Sequence, residues 1–147
     1  SILADPRRKE MKDIINTKIK FRESFRPFAP AVLESQASKF FDIDFPSPYM
    51  LFTVKNKTNT IPAVTHVDGT SRVQTVSYKQ NPLFYRVLSA FGKKTGIPVL
   101  LNTSFNIKNE PIVESPQDAL RCFLNTSLDA LFLGNFVLEK RKLADYE

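Results

Sequence analysis

Residues 98–106, Pro-Val-Leu-Leu-Asn-Thr-Ser-Phe-Asn, constrain this chain more than any other stretch. Val99, Leu100 and Leu101 form an unbroken apolar run, as in a strand covered on both faces. Upstream, Asn81-Pro82 has the form of a helix cap followed by proline at the first helical position. The helix expected over Pro82–Thr95 carries Leu83, Phe84, Val87, Leu88 and Phe91 on one stripe, at a period of about 3.6 residues. Gly96 ends it and Pro98 prevents its continuation. A helix feeding an inner strand is half of an α/β unit, so the expected fold class is α/β, a mixed sheet with flanking helices. Asn102, Thr103, Ser104 and Asn106 then close the strand in small polar side chains. Open α/β sheets bind ligands at that end of an inner strand. An ordinary capped turn has the same composition, so both readings stand at this level.

The 147 residues suit one domain, expected over 1–147. Thirteen Phe and no Trp predict a Phe-rich core. The single cysteine, Cys122, excludes an internal disulfide and reads as an ordinary buried thiol. A formal net charge of +6 favours anionic partners, whether phosphates, nucleotides, nucleic acid or acidic surfaces. No apolar run approaches the roughly 18 residues of a membrane span, and no signal peptide is expected. The expectation is a cytoplasmic protein with no membrane partner. The opening Ser-Ile-Leu, without Met, predicts that the chain is a piece of something longer.

Local signals supply the remaining elements. Asp5-Pro6 predicts a helix over Pro6–Asn16 that buries Met11, Ile14 and Ile15. Arg7, Arg8 and Lys9 would then lie in its first turn, against the macrodipole. Pro27–Leu33 reads as a short strand, placed at an edge or at its start by its prolines. Glu34–Phe41 reads as a helical turn or two, and Tyr49–Val54 as a strand. Ile61–Ser77 reads as two strands around the Asp68-Gly69 turn pair. A short extended piece is expected at Ile112-Val113. Ser115-Pro116-Gln117-Asp118 starts a helix with a cap, a proline and a capping-box acid; it should bury Ala119, Leu120, Phe123 and Leu124. Asp129–Leu133 and Phe136–Leu138 are strands joined at Gly134-Asn135, and Lys140, Arg141 and Lys142 form an exposed tail.

Several residues carry possible chemistry. Lys20, Arg22 and Arg26 have even spacing and would share a face in an extended chain. Converging cations repel unless an anion lies between them, and the planar Arg fork suits phosphate. A solvated edge strand with charged gatekeepers explains the same spacing. So does single-stranded nucleic acid, with bases stacked on the interleaved Phe21, Phe25 and Phe28. His66 and Asp68 are two candidate metal ligands, fewer than a zinc site needs. His66 with Ser71 or Ser104 is an arithmetic possibility for a triad, without geometry to support it. Arg72 and Gln74 share a strand face. No GxGxxG, P-loop or CxxC occurs. A bound nucleotide would rest on Lys, Arg, small polar side chains and backbone N–H groups.

Four separated blocks carry a family resemblance. They are Ser-Ile-Leu-Ala-Asp-Pro-Arg (1–7), Phe-Arg-Glu-Ser-Phe-Arg-Pro-Phe-Ala-Pro (21–30), Thr-His-Val-Asp-Gly-Thr-Ser-Arg-Val-Gln (65–74) and Leu-Asn-Thr-Ser-Phe-Asn (101–106). In this order they resemble the C-terminal domain of the O-carbamoyltransferases, a family of nodulation-factor and antibiotic-tailoring enzymes. Residues 111–119 and 129–134 resemble further family blocks. The resemblance implies a YrdC-like α/β fold that uses carbamoyl phosphate and ATP, with Mg²⁺ accompanying ATP, to make carbamoyl adenylate. A metal-dependent N-terminal Kae1-like domain, in cis and outside this chain, would pass the carbamoyl group to an acceptor hydroxyl. It also implies that Lys20 and Arg26 are basic ligands of carbamoyl phosphate, with Arg72, Asn102 and Ser104 in the same pocket. Arg22, Thr103 and His66 are implied nearby, and Arg7 lies in a matching block without an assigned role. No catalytic side chain is identified. The family's Gly-Pro-Arg-Ala-Leu-Gly-type block, whose arginine belongs to that pocket, is expected upstream of Ser1. The fragment by itself is therefore expected to be inactive or only partly active. A nucleic-acid-binding module is the weaker alternative. A non-catalytic accessory domain is the other, and it has no need of such a residue set.

Overall fold

The structure, a computed structural model, describes residues 1–140. Its strands are β1 (Ile2–Ala4), β2 (Ala29–Leu33), β3 (Thr53–Lys55), β4 (Thr70–Arg72), β5 (Gln74–Val76), β6 (Val99–Thr103), β7 (Ala130–Leu133) and β8 (Phe136–Glu139). Its α-helices are α1 (Glu10–Ile14), α2 (Ala37–Phe40), α3 (Pro82–Thr95) and α4 (Pro116–Leu124). Four strands make a mixed sheet in the order β1-β6-β2-β5, in which only β2 and β5 run parallel. The strand and helix content is that of a mixed α/β class, as expected.

β6 is an inner strand, between β1 and β2. Its side chains alternate between two cores. Val99 and Leu101 join Ile15, Val32, Phe41, Ile61 and Val73 on one face of the sheet. Leu100 joins Ala31, Val76 and Leu88 on the other, under α3. A third cluster, Ala119, Phe123 and Leu131, packs α4 on the β7–β8 hairpin. α3 begins and ends where the sequence places it. The Asn81 side chain accepts a hydrogen bond from the Phe84 backbone N–H at 3.0 Å, and Gly96 takes φ +77°. Ser115 and Asp118 close the reciprocal capping box of α4.

Gly92 is the close-approach point between α3 and β6. A Cβ there would lie 2.7 Å from the Pro98 Cβ and 3.0 Å from its Cα. Gly92→Ala would gain up to about 1 kcal/mol of helix propensity. It would meet a backbone-anchored ring, an overpacking cost of about 1–3 kcal/mol. A lower midpoint in thermal or urea unfolding is the expected result.

Several expectations are corrected. The Asp5-Pro6 helix does not form at that point. Asp5 instead accepts the Arg7 backbone N–H at 3.0 Å and the Arg7 Nη2 at 2.6 Å, and helix starts only at Glu10. Arg7, Arg8 and Lys9 therefore precede the first turn, which carries Glu10 and Asp13 in accord with its dipole. Beyond Ile14 the helix widens into π-helix over Ile15–Ile19. β2 is internal, so of the two placements its prolines allowed the edge is excluded, and Pro30 lies near the start of the strand. The proline is tolerated because pairing with β5 begins at Ala31↔Gln74, one residue after Pro30.

Of the expected 49–54 strand only Thr53 and Val54 are extended, within β3, and Met50 takes φ +56°. The Asp68-Gly69 turn exists, with Gly69 at φ +78°. The limb before it is a 3-10 turn over Pro62–Val64, and β4 pairs with β3 instead. Leu83, Val87 and Leu124 are exposed rather than buried, and Met11 and Ile14 are only partly covered. Ile112-Val113 forms no strand, although the Val113 N–H bonds the Phe105 carbonyl at 2.9 Å. Lys140 is exposed as expected, and its ammonium bonds the Thr126 carbonyl and lies 4.9 Å from the Phe123 ring centre. Arg141 and Lys142 fall outside the described residues.

Candidate functional site

A cleft with a cavity volume of about 650 Å³ lies where β6 ends and β2 begins. The antiparallel register, Ala29↔Asn102, brings the basic segment before β2 beside the polar cluster after β6. Arg72, the last residue of β4, closes another wall. Seven residues singled out from the sequence line this cleft: Arg22, Arg26, His66, Arg72, Asn102, Thr103 and Ser104. A smaller cavity of about 310 Å³ shares Arg22, Arg26 and Ser104 and adds Lys20, Asn106 and Lys108. Arg7 lines neither. It is clamped on Asp5, with its guanidinium 5.7 Å from the Phe91 ring centre.

Lys20, Arg22 and Arg26 converge, but not through an extended strand. Lys20 caps the π-helical turn and Phe21 takes φ +50°, so the chain reverses there. Asn16 holds the resulting loop. This fully buried side chain donates to the carbonyls of Ser24 at 3.1 Å and Arg26 at 2.9 Å. Its Oδ1 accepts from Arg22 Nε at 2.7 Å, while the Arg22 guanidinium lies 4.8 Å from the Phe28 ring centre. Arg22, Arg26 and Arg72 have no carboxylate within salt-bridge distance among the described residues. Burial, and then the charge of Arg26, lower the pKa of Arg22. This is a field arranged for an anion.

Lys20 lines the smaller cavity. It is 4% exposed, and its Nζ faces four acceptors: the carbonyls of Ser104 and Asn106 at 2.8 Å each, Asn106 Oδ1 at 2.6 Å and Ser104 Oγ at 3.2 Å. An ammonium has three N–H donors, so this set saturates it. Burial, followed by Arg22 and then Arg26, brings its pKa down to about 8, partly opposed by Cys122. Lys20 thus shapes the 104–106 loop and adds charge beneath the cleft.

The amide of Asn102 is oriented by a relay. The Pro48 carbonyl can only accept, so Gln74 turns Nε2 toward it at 3.3 Å and Oε1 toward Asn102. Asn102 Nδ2 donates to that Oε1 at 2.8 Å. Asn102 Oδ1 is left buried without a donor, in a side chain that lines the cleft. Such an acceptor costs on the order of 1–3 kcal/mol until a donor reaches it.

Asn16 and Gln74 do most of this positioning, and neither is among the candidate ligands drawn from the sequence. The available signal at Asn16 was a polar residue between Ile15 and Ile19, which the π-helical turn buries together. Gln74 stood out only by sharing a face with Arg72. Among the described residues no group of three or more His, Cys, Asp or Glu converges to hold a metal ion. No helix among them is long and apolar enough to cross a membrane.

Comparison with known proteins gives a consistent set. The family model described as "Carbamoyltransferase C-terminus" matches residues 1–140. "Nodulation protein NolO" of Bradyrhizobium diazoefficiens is 53% identical over 147 residues, covering 96% of this chain and 27% of that protein. "Nodulation protein NolNO" of Sinorhizobium fredii is 51% identical over 149 residues, covering 96% and 22% respectively. "3'-hydroxymethylcephem-O-carbamoyltransferase" of Amycolatopsis lactamdurans is 42% identical over 136 residues, covering 92% and 26%. The chain spans about a quarter of the length of these relatives.

Proposed function

The chain belongs to the carbamoyltransferase C-terminal family, and from that premise we propose that its arginine-lined cleft binds carbamoyl phosphate and ATP and forms carbamoyl adenylate. The observation that carries this reading is Asn102, whose buried Oδ1 lacks a donor, lining one cleft with three arginines that have no carboxylate within salt-bridge distance among the described residues. Carbamoyl phosphate has both matching parts, a dianionic phosphate and an N–H donor. Water releases inorganic phosphate from it and leaves carbamate. A carbamate oxygen then attacks the α-phosphorus of ATP; the new P–O bond forms as the bond to pyrophosphate breaks. A hydroxyl of the acceptor later takes the carbamoyl group and AMP leaves. That last step belongs to the longer protein, where the N-terminal domain expected from the family resemblance would act.

In this scheme the protein contributes positioning and charge rather than a nucleophile. Arg26 and Arg72 neutralise phosphoryl oxygens as their charge develops. Arg22, fixed by Asn16, holds its fork toward the same space. Ser104 and Thr103 supply hydroxyls at the end of β6. No carboxylate cage for Mg²⁺ is present among the described residues, so the ion would be held by the phosphates of ATP.

Titration calorimetry with carbamoyl phosphate at two salt concentrations tests the reading. Saturable binding, weakened about tenfold or more by Arg72→Ala, is the expected outcome. In the full-length protein, radiolabelled pyrophosphate should exchange into ATP only when carbamate is supplied through carbamoyl phosphate. Failure of both this chain and the full-length protein to bind would overturn the assignment. Binding of single-stranded DNA that falls steeply with salt would then favour the nucleic-acid alternative.

A further inference from the structure

The His66 ring lines the cleft, and its tautomer is set by two neighbours, Asp68 on the turn and Thr70 at the start of β4. Thr70 Oγ1 donates its single hydrogen to Asp68 Oδ1 at 2.7 Å. Asp68 also accepts the Thr70 backbone N–H at 3.0 Å, and these bonds, the side-chain one first, lower its pKa and keep it an ionised acceptor. The hydroxyl therefore meets His66 Nδ1, 3.0 Å away, with a lone pair only. Nδ1 must carry the proton. In that tautomer the second nitrogen, Nε2, is the hydrogen-bond acceptor.

We propose that His66 Nε2 accepts a hydrogen bond from the amino group of the carbamoyl ligand and so sets specificity for carbamoyl over acyl phosphates. The inference rests on the carbamoyl phosphate reading of the cleft and gives His66 a role distinct from charge neutralisation. A carbamoyl NH₂ has two N–H bonds. Asn102, whose buried Oδ1 has no donor among the described residues, lines the cleft, and the His66 ring lines it too. The arginines recognise any phosphate and cannot make this distinction. A methyl group in place of NH₂ leaves both acceptors unpaired, which is how a polar site rejects an isostere. Thr70 and Asp68 are positioning residues, because they act only through the tautomer of the ring.

His66 is the single histidine of the 147 residues, so its ring nitrogens can be read without assignment. Long-range ¹H–¹⁵N spectra at about pH 8, above the ordinary imidazole range, should show the Nδ1–H tautomer. Thr70→Val, a near-isosteric change, should turn this into a mixture of tautomers. An Nε2–H tautomer in the wild type overturns the proposal. Carbamoyl phosphate and acetyl phosphate are then titrated in parallel. The first should shift Nε2 and the second should not. His66→Ala should weaken carbamoyl phosphate by about threefold to tenfold and leave acetyl phosphate unchanged. Equal loss for both probes, or binding with no change at Nε2, overturns the inference and leaves the carbamoyl phosphate reading intact. Silence of every cleft residue toward both probes, together with failure of the full-length protein to bind them, overturns the two together.

Discussion

Asn102→Asp should lower the affinity for carbamoyl phosphate by roughly two orders of magnitude or more while changing the unfolding midpoint far less. The substitution keeps shape and replaces a neutral amide with a carboxylate in a side chain 7% exposed. A charge a few ångströms from a bound phosphate costs a few kcal/mol even at an effective dielectric of about 20, hence the factor. The new carboxylate also presents two acceptors to Gln74. Gln74 must then turn its Nε2 toward Asp and give up the Pro48 carbonyl, so the amide relay comes apart. Nearby arginines pair with the carboxylate, which limits the stability loss and occupies the groups that would hold phosphate. Calorimetry and thermal melts measured side by side separate the two effects. An affinity within a few-fold of the wild type would remove Asn102 from the anion-binding wall.

Lys20→Met is expected to have the largest effect on stability. Methionine retains the stem but takes the donor from two backbone carbonyls, a hydroxyl and an amide oxygen. Leaving buried acceptors without a donor costs about 2–4 kcal/mol in total once water reaches some of them. The 104–106 loop loses its anchor, so carbamoyl phosphate binding should fall as well. A pH signature distinguishes this from simple loss of packing. The Lys20 pKa falls from its ordinary 10.5 to about 8, chiefly through burial. Between those values the unfolded chain binds more protons than the folded one, so this group makes stability rise with pH across that window. Below about 8 both states are protonated and the burial penalty is present in full. Urea unfolding from neutral to alkaline pH should therefore show a rising increment in the wild type that the variant lacks. A difference between them that stays flat with pH would contradict this assignment.

How far the sequence could be read depended on the range of the forces involved. Both ends of α3 and the start of α4 were legible to the residue because Asn81, Gly96, Ser115 and Asp118 act on backbone groups three or four positions away. β6 was legible because an apolar run of its length between Pro98 and Asn102 admits few alternatives. The register of 70–76 was not. Asp68-Gly69 dictates a turn but not which strand receives its exit, and β4 found β3 while β5 found β2. Leu83, Val87 and Leu124 fit their helical stripes by period. Exposure depends on whether another element reaches that part of the helix, and no described element does.

The candidate site divides in the same way. The residue types were written in the chain: basic side chains before β2, an arginine after the turn, and a polar cluster closing β6. The family resemblance drew most of them into one pocket before any coordinates. Their separate tasks were decided by tertiary structure. Lys20 and Arg26 look alike in sequence, yet one is buried under four acceptors and the other lines both cavities. Asn16 becomes the holder of the basic loop only because a π-turn swings it inward, and Gln74 orients Asn102 across 28 residues of chain. Local chemistry fixes what a residue can donate or accept. Only the packed fold decides which partner is within about 3 Å of it, and so which groups are left open toward a ligand.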